Sequence, residues 1–250
     1  MASIYNMSHK IFYCEIFYIL KILNNYIMST SKKFILPNVI IPFKNPDKEF
    51  QEEPTNDLFF IPHSSRVCFY STPSGGKTTT ILNAVLHQNF DRIIVVHNDC
   101  NTKEYQNLDC EYFSEIPDPN DEELNLDPTV KNLIIFEDLP YRQLSKMQKR
   151  HLTDYFTTYS THRSISCYIT CQDIFHQVPV NIRRCCNIFV IFKSIDMNNL
   201  RNICDILNLD YKFIRMVFER HMTNKFDNLI IDTTRPHTKV QKKFTEVIQI

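Results

Sequence analysis

Glycine is nearly absent from this chain: 250 residues hold only two, Gly75 and Gly76, side by side and directly before Lys77 and Thr78. That excludes glycine-rich repeats and linkers, and it means that turns and helix ends elsewhere are built without the most permissive residue. Charge imbalance is missing too, since Lys plus Arg and Asp plus Glu each number 28, so net charge nominates no partner. The nine cysteines contain no C-x-x-C pair and follow no secretory signal. A disulfide framework is therefore not expected, and free thiols in a reducing compartment are the simplest account. Long uncharged apolar runs are lacking as well. The stretch "IFYCEIFYILKILNNYIM" is interrupted by Glu15 and Lys21 and preceded by Lys10, and falls short of the roughly 18 residues a bilayer span needs. No stable membrane span is expected. A peripheral helix or an unstructured extension fits better, and Met28 offers an alternative start.

What is present is enough apolar material for one sizeable core, at 43% hydrophobic residues. The charges are unevenly placed. Between Lys103 and Lys131 there are nine acids and no base, so the remaining 19 acids face all 28 bases, a surplus of nine positive charges. Residues 38 to 62 hold four of the prolines (42, 46, 54 and 62) and read as an extended lead-in. Beyond them, short runs rich in β-branched and aromatic residues predict strands at 66–71, 92–97, 132–138, 166–172, 187–193 and 228–233. Cys167 and Cys171 lie along one of these, as small hydrophobes. Helical periodicity joins Ile81, Leu82, Val85 and Leu86 on one face, and Leu144, Met147, Leu152, Tyr155, Phe156 and Tyr159 on another. Two more helices fall within 197–222, joined near Asp210. Near-continuous apolar strands separated by helices predict a mostly parallel central sheet flanked by helices on both faces. The acidic, proline-bearing stretch 104–130 reads as an exposed insertion.

The glycine pair sits where this pattern makes it informative. Ser71-Thr72-Pro73-Ser74-Gly75-Gly76-Lys77-Thr78 fits G-x-x-x-x-G-K-[ST] in every place but the first, and it follows a predicted strand and opens a predicted helix. Such a loop turns backbone N–H groups around phosphate oxygens, which favours glycine. Ser74, Gly75, Gly76, Lys77, Thr78 and Thr79 are the candidate phosphate-binding residues. Lys77 is expected to reach the β and γ phosphates, and Thr78 to ligate Mg²⁺. Ser71 replaces the first glycine, at a cost of about 1 kcal/mol if that position needs an unusual backbone angle. "NLIIFEDLP" ends an apolar strand in Glu137 and Asp138, at the edge where open parallel sheets bind ligands. By position Glu137 would hold Mg²⁺ and Asp138 would polarise an attacking water. "CYITCQD" ends in Gln172, placed to orient water and sense the γ-phosphate, and Arg183 and Arg184 follow as candidate fingers for a neighbouring subunit's nucleotide.

The order of these parts, the P-loop, then "IIFEDL", then "YITCQDIFHQVPVNIRRCCNIFVIFK", resembles the poxvirus-type genome-packaging ATPases of the FtsK/HerA division. These are also found in large DNA viruses, virophages and Maverick/Polinton elements. The likeness spans residues 59 to 250. It implies a P-loop NTPase fold of the RecA-like, additional-strand type, with an N-terminal extension over 1–57, an ATPase domain over 58–250 and a basic tail over 234–250. It further implies ATP and Mg²⁺ as cofactors, a homo-oligomeric ring, and double-stranded DNA driven into a capsid with the help of capsid-associated proteins. An intracellular setting is implied too: a virion, or a viral factory in cytoplasm or nucleus. Carried over to this chain, Lys77 and Thr78 match the nucleotide loop, Glu137 and Asp138 the acidic pair, Gln172 the sensor, and Arg183 or Arg184 the arginine. Three positions depart from the family pattern: Ser71 for Gly, the Glu-Asp order, and Cys185 where Asn is usual. Two other readings of the residues stay open, a small-molecule or nucleoside kinase and a nucleotide-binding assembly module that no longer hydrolyses. Basic residues for DNA are sought at Lys146, Lys149, Arg150, Lys239, Lys242 and Lys243.

Overall fold

The computed structural model describes residues 61–99, 104–106, 108–235, 237–244 and 246–248, and every structural statement below concerns these residues. The expectations for residues 1–57, including the interrupted apolar segment and Met28, lie outside them.

Each predicted strand forms. β1 (Arg66–Tyr70), β2 (Arg92–Val96), β4 (Asn132–Phe136), β5 (Ile165–Cys171), β6 (Ile188–Phe192) and β7 (Asn228–Asp232) are joined by three strands that no apolar run announced: β3 (Glu111–Phe113), β8 (Lys239–Lys242) and β9 (Glu246–Ile248). They make one sheet in the order β3-β2-β4-β5-β1-β6-β7-β8-β9. β3 through β6 in that order run parallel, and β6, β7, β8 and β9 pair antiparallel. An additional strand, β5, lies between β1, which leads into the glycine loop, and β4, which carries the acidic pair.

The sheet is covered on both faces, which is why its central strands need no polar alternation. Val67 and Phe69 face one apolar layer, with Ile81, Ala84 and Val85 of α1 (Lys77–Leu86). Cys68 and Tyr70 face the other. There Leu152 of α2 (Lys146–Asp154) and Tyr155 and Phe156 of the following π-helical turn (Tyr155–Tyr159) pack in, with Tyr155 and Phe156 ring centroids 5.4 and 5.8 Å from that of Phe136. The helix ends in a short turn, α3 (Ser160–His162). Two residues assigned to these apolar faces point elsewhere: Leu86, in the last turn of α1, is 71% exposed and Met147, in the first turn of α2, 65%. Helix ends overhang the sheet, so periodicity there overstates burial.

Two further helix pairs complete the layer: α4 (Ile174–Gln177) with α5 (Val180–Cys185), and α6 (Met197–Leu207) with α7 (Tyr211–His221). Helix ends show how the chain manages without glycine. Ser145 and Gln148 cap α2 reciprocally, Asp196 and Asp210 cap α6 and α7, and α6 stops at Asn208 in the left-handed region, φ 54°. No described helix is long and apolar enough to cross a membrane. The described cysteines are free, and burial pushes the Cys167 thiol up, so it packs as a neutral group.

The acidic stretch is folded onto the sheet rather than projecting from it. Tyr105, Ile116, Leu124 and Leu126 are buried, and β3 pairs with β2. Arg92 fastens it, bonding both oxygens of Glu111 at 2.6 and 2.8 Å and the carbonyls of Leu124 and Asn125. Widely spaced single anchors do this without any period for a sequence reading to detect.

Candidate functional site

The loop from Ser71 to Gly76 joins the end of β1 to α1. Gly76 is the N-cap, at φ 99° and ψ 17°, with no side chain bonded to the helix start. The first N–H groups of α1 are left for a ligand, and the helix end favours an anion. Only Gly76 of the two glycines has positive φ, and Ser74 joins it at φ 56°. Gly75 is needed for another reason: a Cβ there would lie 1.7 Å from Ser71 Oγ and 3.0 Å from the Thr72 carbonyl. Ser71 is fully buried, and its hydroxyl donates to Thr72 O at 3.1 Å and lies 3.2 Å from Ser194 Oγ. The backbone cost considered for Ser71 does not arise, because its φ is not positive. The serine spends space, and Gly75 supplies it.

Lys77 is 6% exposed, with its ammonium 3.4 Å from the Ser71 carbonyl and 3.9 Å from Asp138 Oδ1. Thr78 Oγ1 donates to Glu137 Oε1 at 2.5 Å. Glu137 is 2% exposed, and its other oxygen, Oε2, is buried with no hydrogen-bond partner. Burial raises its pKa, opposed by the Thr78 bond and by Tyr105, whose hydroxyl lies beside it. A threonine hydroxyl and a carboxylate with one orphaned oxygen form an all-oxygen donor set, which fits a hard cation such as Mg²⁺.

Asp138 takes a left-handed backbone, φ 43°. Its amide donates to Thr170 Oγ1 at 2.8 Å, and its Oδ2 accepts from Gln172 Nε2 at 3.5 Å. The strand-end acid, its neighbour on β5 and the glutamine are thus linked across two adjacent parallel strands. Together Ser74 to Thr79, Asp138 and Gln172 line one cleft of about 330 Å³, which Glu104 and Phe226 complete. Glu137 sits behind Thr78. Three neighbours were not singled out from sequence. Glu104 was counted within the acidic insertion, Ser194 follows β6 in a run with no motif, and Phe226 precedes β7.

The two arginines part company. Arg183 is 7% exposed, donates to the Ile174 carbonyl at 3.1 Å and stacks on Phe175 with its guanidinium 4.4 Å from the ring centre. Arg184, next along α5, is exposed. Neither lines the cleft of its own chain. The basic residues are similarly divided. Lys242 and Lys243 pair with the buried Asp227 at 3.4 and 2.9 Å, and Lys149 bonds the Arg142 carbonyl at 3.2 Å. Lys146 and Arg150 stand exposed on α2.

A glycine loop between a parallel strand and a helix, an acidic strand end and an additional strand between them define the P-loop NTPase fold. No protein-family model matches the chain, and no curated protein does. Among solved structures it is similar to B204, the DNA-packaging ATPase of Sulfolobus turreted icosahedral virus, at TM-score 0.51 and 15% identity over 71% of this chain and 97% of that one. It is also similar to the genome-packaging NTPase B204 of Sulfolobus turreted icosahedral virus 2 in complex with ATP-gammaS, at 0.48 and 14% over 71% and 96%. A third likeness is to the pCW3 conjugation coupling protein TcpA with ATPgS, at 0.47 and 12%, covering 76% of this chain and 61% of that one. At such identities the first of these likenesses carries the fold: a mostly parallel P-loop NTPase sheet flanked by helices.

Proposed function

We propose that the chain is an ATP-hydrolysing DNA translocase of the genome-packaging type. The observation that carries this reading is the convergence of Lys77, Thr78, Asp138 and Gln172 on one cleft, with Glu137 bonded to Thr78. The free N–H groups at the start of α1 and the Lys77 ammonium bind the phosphates, the ammonium leaving Asp138 to do so. Thr78 and Glu137 would hold Mg²⁺, which when bound would neutralise charge on the phosphate oxygens. Asp138, released from Lys77 and steadied by Thr170 and Gln172, orients the attacking water and takes its proton. Gln172 touches Asp138 on one side and faces the cleft on the other, a position from which to report the γ-phosphate. Arg184, exposed and unneeded by its own fold, serves as the finger for a neighbouring subunit in a ring, while Arg183 holds α5 against α4.

The DNA-packaging part of this reading draws on the sequence resemblance and on the B204 likeness, and the capsid and viral-factory parts on the resemblance alone. The test is direct. Purified protein is expected to hydrolyse ATP with Mg²⁺, to be stimulated by double-stranded DNA, and to lose turnover by at least about 100-fold in Lys77→Ala, as removing one preorganised electrostatic group typically does. Stimulation by a nucleoside acceptor but not by DNA would replace it with the kinase reading. Binding without turnover under any condition would leave the assembly module.

A further inference from the structure

A second cavity, about 520 Å³, adjoins the phosphate cleft and shares Gly76, Thr79 and Phe226 with it. Its size falls in the range of roughly 300–1,000 Å³ typical of small-molecule sites. Three phenyl groups surround it. Phe192 and Phe244 are buried in its wall, and Phe226 stands 55% exposed at the boundary between the two spaces. An aromatic ring so exposed is unusual among the described phenylalanines, most of which are buried, and the loop bearing it is held firmly. The Asp227 carboxylate accepts from the amides of Thr223 and Asn224 at 3.0 and 2.9 Å and pairs with Lys242 and Lys243. Gly76 leaves the passage open, since a Cβ there would sit 3.4 Å from Phe226 Cδ1 and 3.6 Å from Phe192 Cε1.

Of the polar residues that line this cavity, Thr79, Thr80, Asn83, Lys243 and Asn228, the buried one is Asn228. It is 3% exposed, lines the cavity, and its Oδ1 is buried with no hydrogen-bond partner among the described residues. A buried acceptor left unpaired carries a desolvation cost that a ligand donor would remove.

Resting on the nucleotide reading above, we propose that this cavity is the base subsite of the same nucleotide. Phe226 stacks on the base, and the Asn228 carboxamide accepts from an exocyclic amino group, so the site takes an amino-bearing base such as adenine in preference to one with a carbonyl there. The phosphates lie on the α1 side of Gly76 and the base on the side of β7. Asparagine is the side chain that commonly pairs with the amino edge of adenine, and aromatic stacking on a base is worth about tenfold or more in affinity.

The test compares equilibrium binding of ATP, inosine triphosphate and inorganic tripolyphosphate to the full chain. Wild type should bind ATP about tenfold more tightly than inosine triphosphate, which carries a carbonyl in place of the amino group. Phe226→Ala, a change at an exposed position, should weaken both nucleotides about tenfold and tripolyphosphate, whose cleft Phe226 also borders, by much less. Asn228→Ala should bring ATP and inosine triphosphate to equal affinity. If tripolyphosphate binds, and Phe226→Ala holds ATP as tightly as wild type, or wild type does not distinguish the two nucleotides, the base subsite is overturned while the phosphate cleft stands. If neither ATP nor tripolyphosphate binds, the nucleotide reading falls and takes the subsite with it.

Discussion

The parallel and antiparallel halves of the sheet meet at β6, and they deliver groups to the same edge by opposite routes. In the parallel half every such group follows its strand: the loop from Ser71 after β1, Glu137 and Asp138 after β4, Gln172 after β5. In the antiparallel half Phe226 and Asn228 stand at the start of their strand, because β7 starts where β6 ends, with Asn228 opposite Phe192, while Phe244 follows β8. Phe226 and Asn228 therefore reach the ligand edge from the amino-terminal end of an apolar run. A rule that looks for polar residues after strands finds the first set and passes over the second.

The largest effect that separates the halves is expected from Asp138→Asn. Turnover should fall by roughly 10²- to 10⁴-fold, the usual range for a lost general base, with ATP binding retained in a direct binding assay. Full turnover would move the base away from Asp138. In the antiparallel half, Asp227→Ala removes a buried carboxylate that accepts two amide bonds and faces two ammonium groups. Because Lys242 and Lys243 are 22% and 41% exposed, the loss is that of charged hydrogen bonds, about 1.5–3 kcal/mol, or a fall in Tm of about 6 °C for a chain of this size. Calorimetry checks this. The pH dependence has a definite sign. Burial opposes the Asp227 charge, but the Asn224 amide and Lys243 outweigh it and hold the carboxyl well below its ordinary range. Its contribution is therefore full above the unfolded value of about 3.9 and is lost as pH falls below it. The stability gap between wild type and Asp227→Ala should stay constant down to about pH 4 and narrow progressively as pH falls further. A gap that still stays constant on that further fall, or widens, would show that the ion pairs are not its source.

A smaller effect sharpens the account of the phosphate loop. Gly75→Ala should cost about 1–3 kcal/mol, as overpacking does, and adding Ser71→Gly should recover part of it, since the new Cβ meets Ser71 Oγ. Strict additivity of the two changes would mean that Gly75 is required for ligand approach instead. The smallest change is expected to stabilise. Burial raises the Glu137 pKa, so the ionised group weighs against the folded state as pH rises above the ordinary carboxylate value. Glu137→Gln removes that charge, keeps an acceptor for Thr78, and should raise Tm at pH 7 by about 3 °C while metal-dependent turnover is lost. A lower Tm would show that the carboxylate is well solvated.

Legibility from sequence followed the physics of each element. The six apolar strands were plain because burial on both faces leaves no polar alternation. Lys77, Thr78, Asp138 and Gln172, singled out from their motifs, come together at one cleft because parallel strands bring their following residues to the same edge. β3, β8 and β9 were not, since β3 and β9 are three residues long and β8, Lys-Val-Gln-Lys, alternates too briefly to stand out. Glu104 looked like one acid among nine because only the folding of its segment over β2 brings it to the cleft. Arg183 and Arg184 are adjacent and chemically identical, and nothing in their spacing says that one stacks on Phe175 while its neighbour is exposed.

By itself the chain determined a parallel α/β core and one glycine loop between strand and helix, because hydrophobic period and backbone freedom are local properties. Only the tertiary structure decided why both glycines are needed. Gly76 is there for its left-handed backbone, a local demand, but Gly75 is there because Ser71 occupies the space a side chain would take. It likewise decided which arginine is exposed and that Phe226 and Asn228 line the cavity beside the glycine loop. These depend on contacts between residues distant in sequence and on strand direction, neither of which a linear pattern encodes.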